Sequence, residues 1–232
     1  MLSRFATLGG AATDPYWNNV SYLLVGNGAN GTTTNIKDSS SNNLATTING
    51  NTVISTAQSK YGSGSVYFDG IGDYLSYSAN TVLDFGTGNF TIEGWVYPTS
   101  NATDWFFISA IGGGGLFFGS TVLAGATGIG IGRVAVAWDF TSGVFLATNK
   151  FSYMVVSRSG NTFRFYVDGA SIGTTTISSS YNLSTGGMSV GSQGASYYLT
   201  GYIYDLRVTK GIARYTGSTM TVPTGPLPTT GP

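Results

Sequence analysis

Along this chain, apolar residues recur at every second position far more often than at the spacing of three and four that marks a helix. Glycine interrupts nearly every longer window. The pattern predicts strands and few helices. Runs rich in β-branched and aromatic residues, each bounded by turn formers, cover Val20 to Val25, Ser65 to Phe68, Tyr74 to Tyr77, Phe90 to Tyr97, Trp105 to Ile111 and Gly115 to Phe118. Others cover Ile129 to Trp138, Phe151 to Arg158, Thr162 to Val167, Ser171 to Thr176 and Tyr198 to Val208. So many strands in one chain imply two packed sheets.

The sharpest local unit runs from Phe151 to Ile172, where Ser159-Gly160-Asn161 and Asp168-Gly169 separate three alternating runs. Asp-Gly tolerates the positive φ that a tight hairpin turn demands, so the three runs are expected to form an antiparallel meander. Within it Phe163, Phe165 and Val167 share one face and Arg164 and Tyr166 the other. In the run from Phe90, the residues Phe90, Ile92 and Val96 alternate with Thr91, Glu93 and Trp95, so one row is core and the other faces a groove or a partner. Trp17, ahead of the first strand, and Trp138, after Val134 and Val136, read as structural.

Both ends differ from the middle. Residues 1–15 read as an N-terminal arm, too short and polar-interrupted for a secretory leader. Four of the six prolines fall in Thr221 to Pro232. Such a segment cannot donate into a central sheet, so residues 217–232 read as an extended strap or exit linker. Residues 16–216 are then one domain, a size within the range of a single β-sandwich.

Composition narrows the function. Ten basic and ten acidic residues cancel and charged residues make up 9% of the chain, so no footprint for nucleic acid is present. No run is long and apolar enough for a membrane span. Cysteine and histidine are both absent, which removes disulfides, thiolate metal sites and the commonest general base. A near-neutral surface rich in Thr, Ser and Tyr suits a protein held in an assembly with copies of itself.

Four segments carry a resemblance. They are Tyr67-Phe-Asp-Gly-Ile-Gly-Asp-Tyr-Leu-Ser76, Phe90-Thr-Ile-Glu-Gly-Trp-Val-Tyr-Pro98, Tyr166-Val-Asp-Gly169 with its meander, and Gly201-Tyr-Ile-Tyr-Asp-Leu-Arg-Val208. In this order they resemble the laminin G-like group of concanavalin A-like domains. Two flanking segments, Asp14-Pro-Tyr-Trp-Asn-Asn-Val-Ser-Tyr-Leu-Leu24 and Lys210-Gly-Ile-Ala-Arg-Tyr215, are similar to versions found in bacteriophage structural proteins. The resemblance implies an all-β jelly-roll β-sandwich of two antiparallel sheets. It also implies a virion protein, either a tail or capsid fibre or a decoration component, whose partners are other virion proteins, copies of itself and host-surface glycans. The alternatives are a purely structural cement or clamp and a secreted bacterial carbohydrate-binding adhesin.

Some domains with this sandwich are glucanases, and glycoside hydrolysis needs two carboxyl groups flanking the scissile bond. The chain has one Glu, Glu93, so the two-Glu strand motif of those relatives is absent. Without His there is no Ser-His-Asp triad. The expectation is a protein that is not an enzyme.

Two sets of residues are candidates for binding. Asn101, Asp104, Trp105, Gln193, Tyr197 and Tyr198 fall at strand and loop edges, where rings stack on a sugar and side-chain amides and carboxylates meet its hydroxyls. The competing reading packs these rings onto the ends of the sandwich. Asp69 and Asp73 flank a Gly-rich turn and Asp205 lies late in a strand; with loop oxygens they are candidates for Ca²⁺, which takes six to eight oxygens. Many members of the resembled group bind calcium at a sheet rim with two adjacent acidic residues, and here Tyr204 takes the first of those places. The competing reading has Asp69 and Asp73 capping backbone donors of their own turn.

Overall fold

The computed structural model describes residues 12–123 and 125–232. Most of the expected N-terminal arm, residues 1–11, therefore lies outside the described residues. Strands dominate, in chain order β1 (Val20–Leu24), β2 (Thr47–Asn49), β3 (Val53–Ser55), β4 (Ser65–Asp69), β5 (Tyr74–Tyr77), β6 (Asp84–Gly86), β7 (Phe90–Pro98), β8 (Trp105–Ala110) and β9 (Leu116–Thr121). They continue as β10 (Gly128–Arg133), β11 (Ala137–Thr141), β12 (Ser152–Ser159), β13 (Thr162–Val167), β14 (Ala170–Thr176), β15 (Tyr181–Asn182), β16 (Met188–Val190) and β17 (Thr200–Lys210). The helical content among the described residues is two single 3₁₀ turns, Trp17–Asn19 and Thr81–Leu83.

Two large sheets face each other. The first runs β14-β13-β12-β7-β17-β4-β3, with β1 also on β17; the second runs β11-β10-β9-β8-β16-β5-β2; every pairing is antiparallel. These are the two packed sheets expected from the strand pattern, in the jelly-roll sandwich that the resemblance implies. Residues Ile129 to Trp138, expected as one strand, instead form a hairpin, β10 to β11. Ala135 turns the chain at φ 57°, and Val134 and Val136 made the turn look like strand.

Core and outside alternate as the pleat requires. Phe90, Ile92 and Val96 of β7 and Phe163 and Phe165 of β13 point inward to meet Phe107, Phe118, Ile129 and Ile131 of the second sheet. Burying each such side chain stabilises the fold by roughly 1.5–3 kcal/mol. The meander pairs as expected, Met154 to Ser159 of β12 against Thr162 to Val167 of β13, with Asp168 at φ 49° in the next turn.

Outside the first sheet lies a second cluster, Trp95, Tyr153, Val155, Tyr166 and Tyr204, over which Tyr61, Tyr215, Met220 and Val222 pack. The proline-rich tail runs across it as a strap. Met220 N–H donates to Gly169 O, the Tyr61 hydroxyl to Pro223 O, and Leu227 N–H to Asp205 Oδ2, while Asp14 N–H reaches Thr230 O. Beneath the strap the lone Glu93 is fully buried. Its Oε1 accepts from Arg207 Nε and Nη2 at 2.9 and 2.8 Å, and its Oε2 accepts the hydroxyls of Tyr153 and Tyr215 at 2.7 and 2.6 Å. Asp14 closes the network, bound to Arg207 at 2.8 Å and to Arg214 at 2.7 Å. Burial raises the pKa of Glu93, but Arg207 and Arg214 outweigh it and hold the carboxyl below its usual range.

Candidate functional site

The outer face of the second sheet is built differently. In Gly128-Ile-Gly-Ile-Gly132 the isoleucines enter the core, so the strand shows bare backbone outward. Aromatic rings fill that space. A Cβ at Gly132 would collide with the Phe117 ring, and one at Gly130 would lie 3.0 Å from Trp138 Cε3. Trp138 stands edge-on to Phe117 at 4.6 Å between centroids and stacks on Phe106 at 5.7 Å and 17°; Tyr197 meets Phe106 edge-on at 5.6 Å. Phe106 and Phe117 are buried and form a floor, while Trp138 is half-buried and Tyr197 is 51% exposed.

Around these rings lies a depression of about 220 Å³, walled also by Asp104, Leu123, Arg133 and Gln193. Gln193 and Ser196 exchange backbone hydrogen bonds, which closes a tight loop and presents Tyr197 at φ 54°. Such a φ is uncommon for a residue other than glycine and marks a side chain held in place by its loop. The Gln193 side chain makes no hydrogen bond among the described residues. A second depression, about 460 Å³, shares Tyr197 and is lined also by Tyr198, Thr103, Val122 and Thr200.

Charge at this face is mostly tied down. Arg133 donates Nε and Nη2 to Asp139 at 2.9 and 2.8 Å, and Asp139 also accepts the Tyr181 hydroxyl at 2.6 Å. Burial raises the Asp139 pKa, yet the hydrogen bonds from Arg133 and Tyr181 bring it below the usual carboxylate range. Asp104 Oδ1 accepts the Thr121 hydroxyl and the Val122 N–H at 2.9 and 2.8 Å. Asp104 is the one carboxylate lining either depression, so the pair that glycoside hydrolysis requires is missing there.

Of the six residues expected to hold a sugar, four gather here: Asp104, Gln193, Tyr197 and Tyr198. The other two do not. Trp105 is 2% exposed and its ring packs in the core between the sheets; its Nε1 donates to Asn101 Oδ1 at 3.1 Å, and Asn101 Nδ2 donates to Leu146 O at 2.7 Å. The next ring along, Phe106, is the outward one, because neighbouring strand residues point to opposite faces. Trp138, expected to be structural only, belongs to the site. The signal that finds it is the glycine-isoleucine alternation of β10, whose bare outer row leaves room for a flat ring.

The three aspartates proposed for calcium are not assembled. Asp73 Oδ2 accepts Asp69 N–H at 2.9 Å and its Oδ1 accepts Asn51 N–H, while Asp69 Oδ1 accepts Ile71 N–H at 2.7 Å. Asp73 thereby ties together two crossovers between the sheets. Asp205 lies elsewhere, fully buried at a bulge of β17 with φ 52°, holding the strap through Leu227. Tyr204 beside it is buried against Trp95 and Tyr61. Among the described residues no group of three acidic side chains is gathered in one place, so the three aspartates do not form a joint ligand set.

A sequence profile described as the concanavalin A-like lectin/glucanases superfamily matches residues 68–212. No curated protein sequence matches the chain. Among solved structures, domain 4 of AbnA, a GH43 extracellular arabinanase from Geobacillus stearothermophilus in complex with arabinotriose, superposes with a TM-score of 0.62. The identity is 14%, over 83% of this chain and 93% of that one. The binding domain of Paraclostridial Mosquitocidal Protein 1 gives 0.58 at 13% identity, and that of botulinum neurotoxin serotype D gives 0.55 at 13%. Each of these covers 85% of this chain, which spans only 50% and 49% of their lengths. At such identities the superpositions speak to fold. The profile spans more than half the chain and its match takes in strands β5 to β17 of the two-sheet sandwich, so this chain belongs to the concanavalin A-like lectin/glucanase superfamily.

Proposed function

We propose that the chain is a carbohydrate-binding module without catalytic activity, that its ligand face is the outer side of the second sheet, and that it serves a bacteriophage particle as a fibre or decoration component adhering to host-surface glycans. One observation carries the binding reading: the accessible rings of Trp138 and Tyr197 stand over a sealed aromatic floor, with Gln193 and Asp104 beside them. Ring faces stack on the C–H faces of a sugar, and the polar neighbours fix its hydroxyls. The burial of Glu93 beneath the strap supports a non-catalytic reading, because no substrate reaches it. The phage setting rests on the sequence resemblance of the two flanking segments. Here those segments meet in one place, Asp14 binding Arg214.

A glycan array at saturating protein, run with and without Ca²⁺, tests the reading. Binding is expected, unchanged by a chelator, and weakened at least ten-fold by Trp138→Ala with the thermal midpoint close to that of the unaltered chain. An array with no binder would remove the carbohydrate reading and favour a clamp that touches only virion neighbours. Mass spectrometry of purified particles tests the setting by the presence or absence of the chain.

A further inference from the structure

The two depressions beside Tyr197 are not independent. Asp104, Leu123 and Tyr197 line both, and Leu123 and Tyr197 are 53% and 51% exposed, so the pair forms a saddle between two hollows. The smaller hollow, about 220 Å³, falls below the roughly 300–1,000 Å³ usual for a small-molecule pocket, whereas the larger, about 460 Å³, lies within it. A ligand confined to the Trp138 side would leave the Tyr198 side unused, although aromatic and aliphatic side chains line it as well.

Asp104 stands where the hollows join. Its Oδ1 is committed to Thr121 and Val122, but its Oδ2 accepts no hydrogen bond among the described residues and is not among their sealed polar atoms. It is an acceptor open to a hydroxyl donor. The only other charged residue lining either hollow, Arg133, has its guanidinium bound in bidentate fashion to Asp139. An acidic ligand would meet one carboxylate and no free cation, an arrangement that rejects it.

From this we infer that the site takes an extended, neutral glycan chain lying across Tyr197, with successive sugar units in the two hollows and a hydroxyl of the crossing unit donating to Asp104 Oδ2. The inference rests on the carbohydrate reading above and adds chain length and charge to it. Tyr197 is the residue that makes two subsites of one surface. Its left-handed backbone, set by the Gln193 to Ser196 loop, keeps the ring on the saddle.

Isothermal titration calorimetry of the full chain with xylose, glucose, mannose and arabinose ladders of one to six units, and with a galacturonate ladder, tests it. In at least one neutral ladder the Kd should fall at least ten-fold between one and four units and then level off. Asp104→Asn keeps the bonds to Thr121 and Val122 but replaces Oδ2 by a donor, and should weaken the long oligomer five- to ten-fold. Tyr197→Asn, a residue tolerant of the left-handed backbone, should flatten the dependence on length, with circular dichroism unchanged in both variants. A single unit that binds as tightly as six overturns the two-subsite inference and leaves the carbohydrate reading standing. Tighter binding of galacturonate overturns the neutral assignment. Silence across all the ladders removes both.

Discussion

The two sheets present outer faces of opposite design. On the first sheet the chain sets charge and aromatic residues outward, Glu93, Arg207, Trp95 and Tyr153, and then covers them with its own tail. On the second it sets out glycine and aromatic residues, and among the described residues no segment is laid over Trp138 and Tyr197. The same pleat and the same fold therefore yield one face that works as interior and one that works as surface. Glu93 on the covered face and the polar side chains beside Tyr197 differ in how far the chain itself satisfies them. Both oxygens of Glu93 are taken by protein donors, whereas the Gln193 amide and Asp104 Oδ2 have no protein partner among the described residues.

The contrast is most severely tested by Glu93→Ala. It leaves buried Arg207 with Asp14 as its one remaining carboxylate partner and strips Tyr153 and Tyr215 of their acceptor. Removing one partner of a buried ion pair should destabilise the chain by about 3–5 kcal/mol in urea denaturation at neutral pH. A loss under about 1 kcal/mol, the range of exposed pairs, would show that water reaches the network and that the first face is not sealed.

Asp205 makes the next largest effect, of opposite sign. Burial pushes its pKa up to about 7, against the lowering effects of the Leu227 N–H and Arg207. A carboxyl with a folded pKa above its unfolded value of about 3.9 binds more protons in the folded state between those values, so its contribution to stability is full at low pH and declines as pH rises from about 4 to 7. Asp205→Asn keeps an acceptor for Leu227 and removes the buried charge. It should gain about 2–4 kcal/mol over the unaltered chain at pH 8, with the gain vanishing near pH 4. A gain independent of pH would contradict the titration.

On the open face the expected effects are smaller in stability and larger in binding. Gly132→Ala drives a methyl into Phe117 and the Ala137 carbonyl. It should cost about 1–3 kcal/mol as overpacking, and the displaced ring should abolish glycan retention on an affinity column. Retention unchanged in a folded Gly132→Ala protein would move the ligand off this face.

Much of the fold was legible because its signals are local. Asp168-Gly169 specifies a turn and the alternation of Phe163 and Phe165 specifies a face, and neither depends on distant contacts. The short strands β2, β3, β6, β15 and β16 lack such signals; two or three residues carry no period and are strands only because a neighbour supplies hydrogen bonds. The site was legible by half. Loop tyrosines and Gln193 stood out as polar-aromatic loop ends, but alternation alone does not say which face of β8 turns outward, and Phe106 rather than Trp105 faces outward. The reach of Arg214 to Asp14, two hundred residues away in sequence, has no local trace at all.

The strap has a consequence for how such a chain varies over time. Because the sealed face concentrates stabilising contacts in Glu93, Arg207 and the tail, the residues around Trp138, Gln193 and Tyr197 are free of most structural duty. A margin of stability held in one place lets substitutions accumulate in another without crossing the threshold for folding. Variants of this domain should therefore diverge first at the loops bearing Asp104, Gln193 and Tyr197, changing what is gripped while the sandwich and its covered back stay as they are.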